Sequence, residues 1–430
     1  MRKIYAHIKG ALYFHVAGYF RCFARIYLRR WHPSVIVVTG SSGKTTLLHL
    51  LAAAYGSRAV VSYNANSAFG IPFNLLGFER ATYSKLEWLV YFALAPFRAY
   101  RKVATERIYI AEADAERPGE GEFLADLLRP DVAIWLSLEE AHGKNYDALV
   151  AGGVLDRLAA VKKAMAHEFG FFLERTKKLS IVSADNAFIA AEASRSPASI
   201  SKVAATDILS YDLDSTDTRI ETSKGSYAIP ALIPREAAVS VVAAEQTLRA
   251  IPAENTTLSF SSFTLPPGRS SVFKGIRGIT LIDSSYNATI GGMKAMLALM
   301  QAYPAAGPKW LVLGDMIEQG QSERAEHTEL AAYIPAVRPD RVILVGPRLR
   351  ADTHQRLLEE MPADKVLSFL MPGEAWAYLD EHVTGGETIL FKGARYLEGI
   401  VERMLADKDD AAQLCRRGRM WDTKRAAWGI

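Results

Sequence analysis

Cysteine is nearly absent from this chain. Cys22 and Cys415 are the only two in 430 residues and lie far apart. That excludes a disulfide framework and suits a reducing cytoplasm. No charge of one sign dominates: 51 Lys and Arg against 47 Asp and Glu leave a formal +4, which gives no argument for nucleic acid as a partner. Short-period repeats and low-complexity tracts are missing too, so the length is available for two or three folded domains with sizeable cores.

Long apolar runs are also lacking. In residues 1–33, charges interrupt the apolar pattern, so the segment has neither the roughly 18 uninterrupted apolar residues of a spanning helix nor the layout of a signal peptide. What it has is a helical period: Ile4, Ile8, Leu12, Val16, Phe20, Phe23 and Tyr27 recur on one face, and Arg21, Arg25 and Arg29 line another. Such an amphipathic helix can lie on an anionic membrane surface as a peripheral contact, or pack on the protein's own domain. A second apolar stretch, Trp88 to Phe97, is too short to span and contains Pro96; it reads as a core or interfacial helix.

The most informative feature is Gly40-Ser41-Ser42-Gly43-Lys44-Thr45-Thr46, set between the apolar run Val35 to Val38 and a helical segment from Leu47. Strand, tight loop and helix in that order make a phosphate cradle. Small residues let backbone N–H groups turn toward phosphate oxygens at the helix start, Lys44 reaches the outer phosphates, and the Thr45 hydroxyl is placed to ligate Mg²⁺. The loop is shortened, with Gly40 displaced from the strict spacing.

Apolar runs alternate with helical patterns along the rest of the chain, as in parallel sheets covered by helices. The expected strands of a first domain are 35–39, 59–63, 107–111, 131–136 and 179–183, followed by a hairpin over 218–222 and 226–229. A punctuated Leu265-Pro266-Pro267-Gly268 suits a hinge, and 278–282, 310–313, 341–345 and 388–391 read as the buried strands of a second domain. Notable polar residues fall just past strand ends, where open α/β sheets bind ligands: Asn64, Glu112, His142, Asp283, Asp315 and Lys392.

Several short motifs, in order, resemble those of the Mur ligases, and most of all the branch that adds D-alanyl-D-alanine. They are Thr39 to Thr46; Asn64-Ala65-Asn66 with Gly70-Ile71-Pro72; Ala111-Glu112 with Pro118-Gly119-Glu120; Ala141-His142; Gly268-Arg269; Asp283 with Ser285-Tyr286-Asn287-Ala288; Gly314-Asp315-Met316 with Glu318 and His327; and Lys392-Gly393-Ala394-Arg395 with Glu398. The resemblance implies an α/β protein with a P-loop central domain on a mainly parallel sheet (34–264) and a C-terminal Rossmann-like α/β domain (265–430), preceded by the helix of 1–33. It implies an ATP- and Mg²⁺-dependent ligase that joins a carboxylate to an amine through an acyl-phosphate. Positioning and charge stabilisation dominate that chemistry.

By the same resemblance, residues 40–46 hold ATP, Thr45, Glu112 and His142 ligate metal, and Arg269 and Asp283 contact nucleotide. Asn64 and Asn66 line the central-domain substrate site. Lys392 and Arg395 face the incoming amino acid or dipeptide, whose carboxylate an arginine fork can bind. The expected partners are small-molecule peptide precursors, and the expected state is a cytoplasmic monomer.

Departures from the family pattern are equally specific. No uridine-nucleotide domain precedes the P-loop in this sequence, the Asp-Asp-Ser-Tyr-Asn motif is Asp283-Ser284-Ser285-Tyr286-Asn287, and His167 falls where the family carries a carbamylated lysine. A neutral imidazole there would act as ligand or orienting group, with no carbamate, whereas a shift of the helix would bring Lys162 or Lys163 to the position instead. The alternatives are a folylpolyglutamate-synthase-like ligase and a Mur-like nucleotide-binding protein without ligase activity.

Overall fold

The computed structural model describes residues 2–63, 65–79, 85–139, 145–146, 157–253, 258–317, 319 and 322–430. The chain divides into two compact units: Met1–Ala205 with Ser240–Ser259, and Thr206–Val239 with Phe260–Ile430.

The first unit is built on six strands, β1 (Ser34–Thr39), β2 (Ala59–Val61), β3 (Ile108–Glu112), β4 (Val132–Trp135), β5 (Leu179–Ser183) and β6 (Ser199–Val203), ordered β2-β3-β1-β4-β5-β6 and all parallel. The inner strands are continuous apolar runs because helices cover both sheet faces. Those helices are α1 (Arg2–Trp31), α2 (Lys44–Tyr55), α3 (Gly70–Leu76), α4 (Lys85–Ala99), α5 (Glu120–Leu128), α6 (Arg157–Glu174), α7 (Ala187–Glu192) and α8 (Val239–Ala250). The Tyr55 hydroxyl at the end of α2 donates to the Ile251 carbonyl just past α8, tying the returning segment to this unit.

The order matters for function because β1 lies between β3 and β4. Val38 pairs with Glu112 and Thr39 with Trp135, so the loops leaving three strands adjoin at one sheet edge.

Helix α1 packs on α3, α4 and α5. Phe20 is fully buried against Phe73 and Phe92, and two arginines of the basic stripe are engaged: Arg21 lies over the Phe123 ring at 4.0 Å and donates to its carbonyl, and Arg25 reaches the Asp126 carbonyl. Among the described residues, packing on its own unit is therefore what α1 does. Pro96 sits inside α4 and cannot supply the N–H that would bond the Phe92 carbonyl, and the Tyr19 hydroxyl of α1 donates to that carbonyl instead at 2.8 Å.

The second unit holds two sheets. Strands β7 (Ile208–Leu213), β8 (Thr218–Thr222) and β9 (Gly225–Ile229) form an antiparallel three-stranded sheet. The larger sheet, ordered β10-β11-β15-β12-β13-β14, comprises β10 (Ser271–Lys274), β11 (Thr280–Ser284), β12 (Lys309–Gly314), β13 (Arg341–Val345), β14 (Val366–Phe369) and β15 (Thr388–Lys392); it is parallel except for β10. It is flanked by α9 (Ile290–Ala302), α10 (Glu323–Leu330), α11 (His354–Glu360), α12 (Pro372–His382), α13 (Leu397–Met404) and the terminal α14 (Arg419–Ala426). Here the last strand, β15, runs between β11 and β12, with Lys392 beside both Ser284 and Leu313.

Four strands, β6, β7, β10 and β14, go beyond the sequence expectation. All four are edge strands, and β7 carries exposed residues such as Leu209, so none shows a buried apolar run. The strands expected over 179–183 and 341–345 form over those same residues.

Candidate active site

In the first unit the site starts where β1 ends. Gly40 and Gly43 take positive φ of 122° and 74°. A Cβ at Gly40 would lie 2.7 Å from the Ser137 carbonyl oxygen, so this position needs glycine for close approach as well as for φ. The segment after β4 braces the loop. Ser41 N–H donates to the Ser137 carbonyl, Ser42 N–H to Ser137 Oγ at 2.8 Å, and the Ser42 hydroxyl to Glu139 Oε1 at 2.6 Å. Gly43 gives α2 no side-chain cap, which leaves the N–H groups of its first turn for an anion.

Lys44 is folded back over this loop, its Nζ donating to the Gly40 carbonyl and standing 2.9 Å from Asp114 Oδ2, with the two side chains only 9% and 6% exposed. Next to it the Thr45 hydroxyl donates to Glu112 Oε2 at 3.2 Å. The structure thus unites two of the three residues expected to bind metal, a hydroxyl and a carboxylate, both hard oxygen donors suited to Mg²⁺. His142 and Asn64 lie outside the described residues. Asn66 sits beside the site by its backbone, its carbonyl accepting from Asp114 N–H at 2.9 Å. No group of three or more His, Cys, Asp or Glu side chains placed to hold a metal occurs among the described residues.

His167 is not brought to this cluster. Its ring is exposed, 5.1 Å from that of Phe171 and within 3.3 Å of Arg195, whereas the adjacent Glu168 turns inward and accepts from the N–H groups of Gly119 (2.8 Å) and Gly121 (3.1 Å). Consecutive helical residues project about 100° apart, so only one of the pair can face the sheet, and on α6 it is the glutamate. Burial raises the Glu168 pKa above the usual carboxylate range, against those two backbone bonds. Glu120 is similarly raised by burial; it accepts from Ala68 N–H and from the Tyr13 hydroxyl of α1.

In the second unit the equivalent sheet edge gathers the C-terminal candidates. Asp283 is fully buried. Its Oδ1 accepts from Ser285 N–H at 3.0 Å, Oδ2 has no hydrogen-bond partner, and burial raises its pKa. Lys392 Nζ donates to the Asn287 carbonyl at 2.8 Å. Arg395 donates through Nε and Nη2 to one oxygen of the fully buried Asp315, at 2.9 and 2.7 Å. This occurs because Gly314 and Gly393 back onto each other: a Cβ on Gly314 would meet the Ala394 oxygen at 2.1 Å, and one on Gly393 the Gly314 oxygen at 2.3 Å.

Arg269 lies over the Tyr286 ring at 4.8 Å. His327 is structural here: it accepts from Met316 N–H at Nε2 and donates from Nδ1 to the Glu323 carbonyl, which only the neutral ring can do. Glu398, also raised by burial, pairs with Arg416 at 3.1 Å, and burial pushes the neighbouring Cys415 thiol up to about 12.

Sequence reading missed Asp114, Ser137 and Glu139. Asp114 carried a usable signal, because two residues after Glu112 an extended chain returns to the same face. The other two depend on which strands adjoin.

A phosphate loop on the switch point of a parallel sheet, in a chain with a second doubly wound unit, defines a P-loop nucleotide-binding α/β protein. The chain belongs to the Mur ligase family: the Mur ligase middle domain matches residues 38–229, and the Mur ligase glutamate ligase domain residues 268–395.

Relatives include the UDP-N-acetylmuramoyl-tripeptide–D-alanyl-D-alanine ligases of Bacillus subtilis, 25% identical over 89% of this chain and 78% of its own, and of Escherichia coli, 27% identical over 84% and 74%. Among solved structures, MurF ligase from Thermotoga maritima in complex with ADP is similar with a TM-score of 0.69, 20% identity, and coverage of 90% of this chain and 82% of its own. Escherichia coli FolC in complex with DHPP and ADP gives a TM-score of 0.56 at 17% identity, covering 90% and 93%.

Proposed function

We propose that this chain is an ATP-dependent carboxylate–amine ligase that adds D-alanyl-D-alanine to a UDP-linked muramoyl tripeptide, with release of ADP and phosphate, in the cytoplasm. The carrying observation is the agreement of the curated relatives, which bear that one activity in their names and align along most of the chain. The phosphate loop and the Thr45–Glu112 contact support it independently, since they are the parts such a reaction needs.

In this reading residues 40–46 bind the ATP phosphates. Gly40 allows the tight turn under Ser137, the first turn of α2 offers N–H donors, and Lys44 transfers its charge from Asp114 to the outer phosphates. Thr45 and Glu112, with His142, hold Mg²⁺. When bound, Mg²⁺ supplies charge neutralisation for phosphoryl transfer. The γ-phosphoryl group passes to the tripeptide carboxylate, the dipeptide amine attacks the acyl carbon, and phosphate leaves. Asn64 and Asn66 line the acyl site of residues 34–264, Lys392 and Arg395 serve the amine substrate from residues 265–430, and Arg269 and Asp283 contact nucleotide. His167 is left out of the catalytic set, and Asp114 joins it as the group that positions Lys44.

The test offers Mg-ATP with the UDP-muramoyl tripeptide and D-alanyl-D-alanine, and separately with a folate and glutamate, following ADP release and product mass. A ligated pentapeptide product is expected in the first mixture only. Product in the second alone transfers the chain to the folylpolyglutamate type, and ADP release in neither refutes the ligase reading.

A further inference from the structure

Helix α4 exposes an apolar ridge that the proposed reaction does not use. Leu86, Leu89, Val90, Leu94, Phe97 and Tyr100 repeat at helical spacing and are all exposed, from 39% at Leu94 to 76% at Phe97. Fourteen residues of rise make the ridge roughly 20 Å long. The opposite face of the helix is satisfied, with Tyr91, Ala95 and Ala99 in the core and Trp88 and Phe92 packed on α1 and α3. A contiguous apolar strip of this kind on a soluble unit marks an interaction surface.

Charge identifies what covers it. At the Tyr100 end the exposed cations Arg30, Arg98 and Lys102 collect; Arg30 lies 5.3 Å from the Tyr100 ring and donates to the Ala99 and Arg101 carbonyls. The one acid on α4, Glu87, is half-buried. A ridge with aromatic residues and cations at its end fits an anionic lipid surface, with apolar side chains among acyl chains and arginines among headgroups. No described helix is long and apolar enough to cross a bilayer, so the contact is one of lying on the surface. Arg21 and Arg25 of the α1 stripe, the obvious membrane candidate in the sequence, are spent on α5, and α4 takes that part.

We propose that the exposed face of α4, with Arg30, Arg98 and Lys102, docks the protein peripherally on anionic membrane. The full chain is mixed with vesicles of phosphatidylcholine alone and of phosphatidylcholine with phosphatidylglycerol, and the bound fraction is read by co-sedimentation. Binding to the anionic vesicles about tenfold above the neutral ones, weakening with salt, is expected. Leu89→Glu with Phe97→Glu lowers it by about tenfold or more on both, and Arg98→Glu with Lys102→Glu lowers it on the anionic vesicles alone. All four side chains are exposed, and unchanged thermal melting confirms that the variants fold. Equal sedimentation of wild type and variants, or no binding by wild type, overturns the proposal. So does a dimer in light scattering that Leu89→Glu with Phe97→Glu splits without any vesicle binding, which gives the ridge to a second copy.

Discussion

Removing the Asp114 charge tests how the phosphate loop is held before nucleotide arrives. Lys44 and Asp114 form a pair 2.9 Å apart with little solvent access. Breaking a buried pair by deleting one partner costs about 3–5 kcal/mol. In Asp114→Asn the lysine keeps the Gly40 and Ser41 carbonyls as acceptors, so the expected loss is about half of that, roughly 2 kcal/mol. For a unit of this size that lowers the melting temperature by about 4–8 °C.

Nucleotide phosphate then replaces the missing carboxylate. The gain in melting temperature on adding Mg-ADP is therefore larger for Asp114→Asn than for wild type, and saturating ligand brings the two within about 2 °C. Lys44→Met in the Asp114→Asn background recovers apo stability, because no unmatched charge is then buried. Differential scanning fluorimetry with and without Mg-ADP reads all of these. Apo melting of Asp114→Asn unchanged from wild type, or equal ligand-induced gains in both proteins, would refute the reasoning.

Glu112→Gln keeps the hydrogen-bond geometry to Thr45 but removes a hard anionic ligand, so the Mg²⁺ concentration for half-maximal activity rises by about tenfold; an unchanged metal titration reduces Glu112 to a structural acid. Asp283 has its pKa raised by burial, so the folded state holds that proton above the ordinary carboxylate range, and stability is lost as pH rises from that range through the raised pKa. Asp283→Asn keeps the Ser285 bond and flattens the denaturation midpoint against pH, whereas an unaltered slope assigns the dependence to other groups such as Glu168 and Glu398. Tyr19→Phe strands the Phe92 carbonyl beside Pro96 and costs about 1–2 kcal/mol in chemical denaturation. His167→Ala leaves kcat and its pH profile within about twofold, since the ring stands outside the cluster; a loss on the acid side would restore it to the site.

How far the sequence could be read depended on whether a signal was local. Strands buried on both faces, such as 179–183 and 341–345, announce themselves as apolar runs, and the phosphate loop is contiguous. The edge strand β6, Ser-Ile-Ser-Lys-Val, has mostly exposed side chains and no run to find. The site was legible where strand ends carried the residue, as with Glu112, and illegible where strand order made the neighbour. Ser137 and Glu139 brace the loop only because β4 lies beside β1. His167 failed for a different reason: a one-residue difference in helix phase decides which side chain faces in, and no local pattern on α6 separates His167 from Glu168. The basic stripe of α1 was found correctly, yet the occupancy of Arg21 and Arg25 by α5 is a tertiary fact.

The path of the chain between the two units bears on how it is made. The strand β6 ends at Val203, residues 206–239 form the small antiparallel sheet of the second unit, and 240–259 then return to finish the first. On the ribosome the first unit cannot close until Thr247 and Ile251 have emerged to meet Tyr55, and by then the three-stranded sheet is already out while the rest of its unit is not. Its apolar face must wait for translation of α9, where Tyr303 finally reaches the Ser215 carbonyl. Slow decoding or a chaperone would be felt most over that interval of synthesis, and gene fragments cut after Ala205 or before Phe260 would each orphan part of a core.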